Sequence, residues 1–77
     1  MNIYSIYDMV AREFSSPFLA KNDGVAMRMF GNTCRSERIV NPNELELYCI
    51  GKFLGENLDG CIEPCKPMII RVSESDV

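Results

Sequence analysis

The alternation of hydrophobic and polar positions changes period twice along the chain. From Asn2 to Met9, Ile3, Ser5 and Tyr7 alternate with Tyr4 and Ile6. A period of two is that of a strand, and because both sets are largely apolar the strand is expected at the centre of a sheet. Ala11 to Ser16 reads as irregular, closed by Ser15-Ser16-Pro17 as a turn. Phe18 to Lys21 reads as a short strand that Pro17 confines to an edge. From Val25 onward the spacing becomes helical. Ala26, Met29, Phe30, Thr33 and Cys34 fill one arc with Met27 at its margin, and Arg28, Asn32 and Arg35 fill the opposite arc. Asn22 or Asp23 supplies an N-cap, and a carboxylate there suits the positive end of the helix dipole. A hairpin is the rival reading, because Asn22-Asp23-Gly24 is also turn chemistry. Ala, Met and Arg are strong helix formers and no β-branched residue lies between 26 and 30, which favours a helix from about Asp23 to Arg35.

The period returns to two at Glu44. Leu45, Leu47, Cys49 and Phe53 alternate with Glu46, Tyr48, Ile50 and Lys52, and the first set is expected to meet the helix. Gly51 falls on that same face and marks either a bulge or a close approach of the helix backbone. Glu37 to Asn43 is a loop, with Asn41-Pro42-Asn43 as its turn signal, and Gly55 to Gly60 is a hairpin loop. Cys61 to Glu63 begins a return strand. Pro64 and Pro67 are expected to interrupt it before Met68 to Val72 resumes at an edge. Ser73 to Val77 is a polar tail. The sum is one α+β domain over residues 1–77, with a small three- to four-stranded, mainly antiparallel sheet and one helix packed on one face.

One helix covers only one face of such a sheet. The other face is expected to carry Tyr48 and Ile50 with Tyr4 and Ile6, which is too apolar to stay wet on a small monomer. A second subunit, giving a homodimer, is the first expectation for what covers it. Stacked nucleobases on exposed aromatics are the second.

The 77 residues form a thin core, 47% of them hydrophobic, which excludes wholesale disorder. No apolar run approaches a membrane span, and no signal peptide is evident, so a soluble intracellular protein is expected. The four cysteines, Cys34, Cys49, Cys61 and Cys65, are expected to be reduced and metal-free, Cys34 and Cys49 close together in the core. A four-thiolate zinc site lacks the paired C-x2-C knuckles and there is no His to assist. The absence of His also removes common acid–base devices. No phosphate-binding glycine loop occurs, and Glu44 and Glu46, expected on one face of a strand, have no visible catalytic partner. The expectation is a non-enzyme without cofactors.

The net charge of −3 is unevenly spread. Lys21, Arg28, Arg35 and Arg38 belong to the weakly basic helix region, while the half from Asn41 onward is acidic. Arg28 and Arg35 stand two turns apart on the polar arc with Arg38 just beyond. These three and Lys21 are the candidate phosphate contacts, set against the plainer reading of a solvated helix face.

Taken together, several motifs resemble one family. Ile3 to Asp8, IYSIYD, is similar to the opening of the small non-structural protein of gokushovirus-type microviruses, phages with circular single-stranded DNA. Pro17-Phe18 followed by Asn22 to Phe30, NDGVAMRMF, resembles its P-F…D-G-x-A-x-R-x-F core, and Leu47 to Phe53, LYCIGKF, its L-Y-x-I-G-x-F strand. The likeness extends loosely through Gly60, Ile62 and Pro67. The chain departs from the pattern in the short connection from Arg38 to Glu44 and in the Cys61/Cys65 pair. The resemblance implies a non-virion phage protein in the cytoplasm of the infected bacterium, assisting single-stranded DNA synthesis or packaging. Two classes follow: a weak, non-specific single-stranded DNA binder, and an adaptor docking onto phage replication or assembly proteins without touching nucleic acid.

Overall fold

The computed structural model describes residues 1–36 and 42–70. Arg38, most of the expected loop after the helix, the expected strand end at Arg71 and Val72, and the polar tail lie outside the described residues. In chain order the elements are β1 (Asn2–Asp8), β2 (Glu13–Phe14), β3 (Phe18–Ala20), α1 (Asp23–Ser36), a 3-10 turn (Pro42–Glu44), β4 (Leu45–Phe53) and β5 (Ile62–Ile69). The described residues form a small α+β fold with one α-helix and one antiparallel sheet. No helix among them is long and apolar enough to cross a membrane.

β1 is the central strand, as its two apolar faces require. It pairs with β4 along one edge and with both β2 and β3 along the other, and β5 completes the sheet beyond β4. β2 and β3 are two pieces of one edge strand. Their registers, Tyr7 opposite Phe14 and Tyr4 opposite Phe18, place one extra residue in the β2–β3 segment, at Ser15 to Pro17. Ser15 bridges the break. Its amide donates to the Ile6 carbonyl at 2.8 Å, and its carbonyl accepts the Ser5 hydroxyl at 2.7 Å. Residues 13 and 14, expected to be irregular, are therefore a strand. The cause is the preceding turn, where one Asp8 carboxylate oxygen accepts the amides of Val10 and Ala11 at 2.9 and 3.1 Å. The Arg12 amide reaches the Asp8 carbonyl at 2.7 Å, with Arg12 itself at a φ of 61°.

The helix begins as its sequence predicts, with the roles of the two cap candidates divided. Asn22 is the N-cap, its side-chain oxygen accepting the Val25 amide at 2.9 Å. Asp23 is thereby released to accept the Tyr4 hydroxyl at 2.6 Å. Behind that bond Tyr4, Ile6, Ala20, Ala26 and Leu47 form the buried core. Ala26 and Ala20 are both fully buried, so small side chains set the line along which α1 approaches the sheet. Val25, Met27 and Phe30 flank that line. Met29, expected within the apolar arc, is instead 37% exposed, because the contact line runs through Ala26 and turns the stripe toward Val25 and Met27.

The register of β1 against β4 corrects the expected assignment of faces. Tyr4 pairs with Cys49 and Ile6 with Leu47, so Tyr4 and Ile6 share the helix-covered face and do not lie beside Tyr48. Ser5 pairs with Tyr48 and Tyr7 with Glu46, which puts Ser5 and Tyr7 on the open face. With both sets of β1 largely apolar, alternation could not say which set turns inward, and a one-residue change of register exchanges them. The Tyr4 hydroxyl settles it here, since only inward-facing Tyr4 meets Asp23.

Ile50 is the extra residue of a β4 bulge, because Gly51 pairs with Ile3 while Cys49 pairs with Tyr4. The bulge expected at Gly51 is present, but the close approach comes from β5 and not from the helix. A Cβ at Gly51 would stand 2.7 Å from the Glu63 carbonyl oxygen and 3.2 Å from the Pro64 Cα. β5 also runs through Pro64 and Pro67 without ending. As an edge strand it tolerates the missing N–H groups, and the misfit appears as a register shift between Cys49–Met68 and Gly51–Pro64. The loop before it is a tight turn, with the Leu54 amide on the Cys61 carbonyl at 2.6 Å and the Asp59 amide on the Asn57 side chain at 3.0 Å.

Two outcomes follow for stability. Burial, reinforced by the Asp23 carboxylate, pushes the Tyr4 phenol up to about 12. Its contribution is then fully present below the unfolded value near 10 and is lost as pH rises through about 12. Tyr4→Phe is expected to cost about 1–2 kcal/mol in urea denaturation at neutral pH and to remove this alkaline loss. Gly51→Ala is expected to cost about 1–3 kcal/mol through the contact with Glu63, and a midpoint equal to that of the parent would refute the close approach.

Candidate nucleic-acid and self-association surfaces

The helix delivers two of the expected cations to one outer surface. Arg28 and Arg35 are exposed on α1, seven residues and so roughly 10 Å apart along the axis. Lys21 is exposed just before the helix cap. Arg28 stands clear of the core, whereas the Arg35 guanidinium folds back along the helix. It donates to the Asn32 side-chain oxygen and passes within 3.5 Å of where a Gly31 Cβ would be. Gly31, which weakens the helix by propensity, thus leaves room for that arginine to lie down. Arg38, the fourth expected contact, lies outside the described residues.

The open face of the sheet carries a cluster of three rings. Tyr7 and Phe14 have centroids 4.9 Å apart, Phe14 and Tyr48 are 5.5 Å apart at 83°, and Tyr7 and Tyr48 are 6.1 Å apart at 78°. Two of the three pairs are edge to face and the Tyr7–Phe14 pair is tilted at 59°, so each ring packs against the other two. Phe14 remains 42% exposed, and Tyr48 and Ile50 are half-buried. Of the expected interface, Tyr48 belongs to this region, Ile50 is the half-buried extra residue of the β4 bulge, and Tyr4 and Ile6 are core residues. Tyr7 and Phe14 take their place. Phe14 escaped the sequence reading because residues 11–16 show no alternation. The readable signal was Asp8, an acidic side chain able to cap a turn that folds Glu13 and Phe14 back on Tyr7 and Asp8.

Three carboxylates among the described residues are held by hydrogen bonds: Asp8 by turn amides, Asp23 by the Tyr4 hydroxyl and Glu46 by the Tyr48 hydroxyl. Glu46 lies on the ring face and accepts the Tyr48 hydroxyl at 3.1 Å. Glu44, expected beside Glu46 on one strand face, ends the 3-10 turn, its carbonyl accepting the Met9 amide at 2.9 Å. The two carboxylates thus do not share one strand face. A cleft of about 410 Å³ is lined by Ile6, Asp8, Ser15, Ser16, Phe18, Thr33 and Leu45. Asp8 is the single carboxylate among those residues, and one of its oxygens already holds the turn amides. The four cysteines are not joined in disulfides in the fold, with Cys34 and Cys49 half-buried and Cys61 and Cys65 exposed.

The two surfaces lie on opposite sides of the fold. α1 covers the Tyr4–Ile6–Leu47 face and turns its arginines outward, while the rings occupy the reverse face of the sheet.

No curated protein and no solved structure gives a significant match to the chain. The model of the Phage ORF5 protein family matches residues 1–76, and the chain belongs to that family.

Proposed function

We propose that this phage protein is a non-structural accessory protein of the gokushovirus type, acting in the host cytoplasm to assist single-stranded DNA synthesis or packaging. It does so by weak, sequence-independent contact with single-stranded DNA along the outer face of α1. The observation that carries this reading is the pair of outward arginines, Arg28 and Arg35, two turns apart on the side of the helix away from the core. Lys21 extends the same basic surface, and Arg38 follows in sequence. Readers of the duplex major groove present an array of amides and arginines to base edges. On α1 the nearest amide, Asn32, is held by Arg35, which leaves charge without base readout. The motif likeness to microvirus proteins favours a single-stranded genome as the ligand, and membership of the Phage ORF5 family agrees with a role in phage growth.

In the same proposal two copies associate through the ring face, around Tyr48, Ile50, Tyr7 and Phe14. Partly exposed rings on a small protein favour burial against a partner, and pairing would double the number of basic helices per particle. A second reading, an adaptor for phage replication or assembly proteins, draws support from the same face. Glu46 places a carboxylate among the rings, which repels phosphate and suits a protein partner.

In a shift assay, single-stranded DNA should bind more tightly than duplex, with affinity falling as salt rises. Arg28→Ala with Arg35→Ala should weaken binding and flatten the slope of log affinity against log salt by roughly 1.4, about 0.7 for each phosphate no longer neutralised. Unchanged binding by the double variant would leave the arginines as a solvated face, and no binding by the parent at low salt would hand the function to the adaptor reading. Sedimentation should show a dimer at micromolar concentration that Tyr48→Glu converts to monomer. A parent that sediments only as monomer at high micromolar concentration removes the ring-face dimer.

A further inference from the structure

Cys49 and Cys65 come together across the β4–β5 ladder although 16 residues separate them in sequence. The Cys65 thiol donates to the Cys49 carbonyl at 3.7 Å, and the Cys49 thiol points along its own strand to the Gly51 carbonyl at 3.7 Å. The pairing explains the approach. Pro64 is opposite Gly51 and Met68 is opposite Cys49, so the β5 residues between them bow out and Cys65 lies diagonally across from Cys49. Cys49 is half-buried and Cys65 exposed, so one thiol is open to a reagent and the other is sheltered behind it. Cys61 lies beyond this break, its carbonyl tied to Leu54 at the hairpin end, and Cys34 belongs to the helix.

We propose that Cys49 and Cys65 form a redox-sensitive dithiol that closes to a β4–β5 disulfide when a small-molecule disulfide such as oxidised glutathione is present. The exposed Cys65 thiolate attacks one sulfur of the reagent and expels one glutathione thiolate, giving a mixed disulfide. The Cys49 thiolate then attacks the Cys65 sulfur and expels the second glutathione thiolate. Two thiols have lost two protons and two electrons, and the reagent has become two thiols. Desolvation against β4, and next the neighbouring Cys49 thiol, raise the Cys65 thiol above its ordinary range, so the first step accelerates as pH rises. In a reducing compartment the pair stays open, and β5 is held by its ladder alone. In an oxidising one β5 is fastened to β4 at the place where two prolines and a register shift weaken that ladder. The proposal is independent of any contact with DNA.

The full chain is incubated with excess oxidised glutathione at pH 8, then alkylated, digested and mapped by mass. A peptide pair joined through Cys49 and Cys65 in the monomer is expected, absent from Cys65→Ser and retained in Cys34→Ser and Cys61→Ser. The melting temperature of the oxidised monomer should rise by on the order of 10 °C and return on reduction, as closing a loop of this length predicts. Cys65→Ser changes an exposed side chain, and its unaltered far-ultraviolet dichroism serves as the folding control. Linkage of Cys65 to Cys61 or to a second molecule as the main product overturns the proposal, as does persistence of free thiols at both Cys49 and Cys65.

Discussion

The hydroxyl of Tyr4 is the interaction on which the rest of the fold depends. Its ring fills the centre of the core, fully buried, and its oxygen reaches the first residue of the helix at Asp23. A buried phenol without a partner would carry a desolvation cost of its own, so the inward orientation is stable only when the helix N-terminus is in place. The bond thereby joins three choices that local sequence leaves separate: which face of β1 turns inward, where α1 begins relative to the sheet, and which of two capping residues does the capping. Asn2 donates to the same oxygen at 3.1 Å, which closes the network at the start of β1.

The second constraint is the contact between β4 and β5. Gly51 gives β5 room that any side chain would take away, and the Ile50 bulge lets β4 keep pairing with β1 through the same segment. β5 carries two prolines, which suits a strand with one free edge and discourages a further strand from adding there. The outcome is an edge that is blunted yet locally weak, with the bowed residues bringing two cysteines within reach of one another. The thiols meet because the register shifts, and the register shifts where the prolines and Gly51 allow it.

The placement of charges and rings bears on function. Arginines on the outer side of α1 and rings on the reverse side of the sheet make the protein two-sided. In the proposed function the outer side of α1 would meet the polyanion and the ring face another copy or a different protein. The layout does not suit a single groove in which backbone charge and base stacking are read together, the arrangement of many single-strand binders. Membership of the Phage ORF5 family places the molecule in phage biology, and the two-sided layout is the chain's own contribution to that picture.

The helix and the two long strands β1 and β4 were legible in the sequence, because each rests on a local signal. The helix from Asp23 follows from its cap and 3.6-residue spacing, β4 from the alternation after Glu44, and the central position of β1 from its two apolar faces. The arginines on the outer helix face were legible for the same reason: periodicity assigns opposite sides of a helix without further information. Tertiary structure decided what local signals leave degenerate. β1 could turn either face inward, and the Tyr4–Asp23 bond chose the one that buries Tyr4 and Ile6 and leaves Tyr7 outside. Glu13 and Phe14 carry no strand signal of their own, and became a strand because the Asp8-capped turn returns them to β1. Likewise no spacing rule links Cys49 to Cys65. Their meeting depends on a register shift between two strands, and register is set by contacts between residues far apart in the chain.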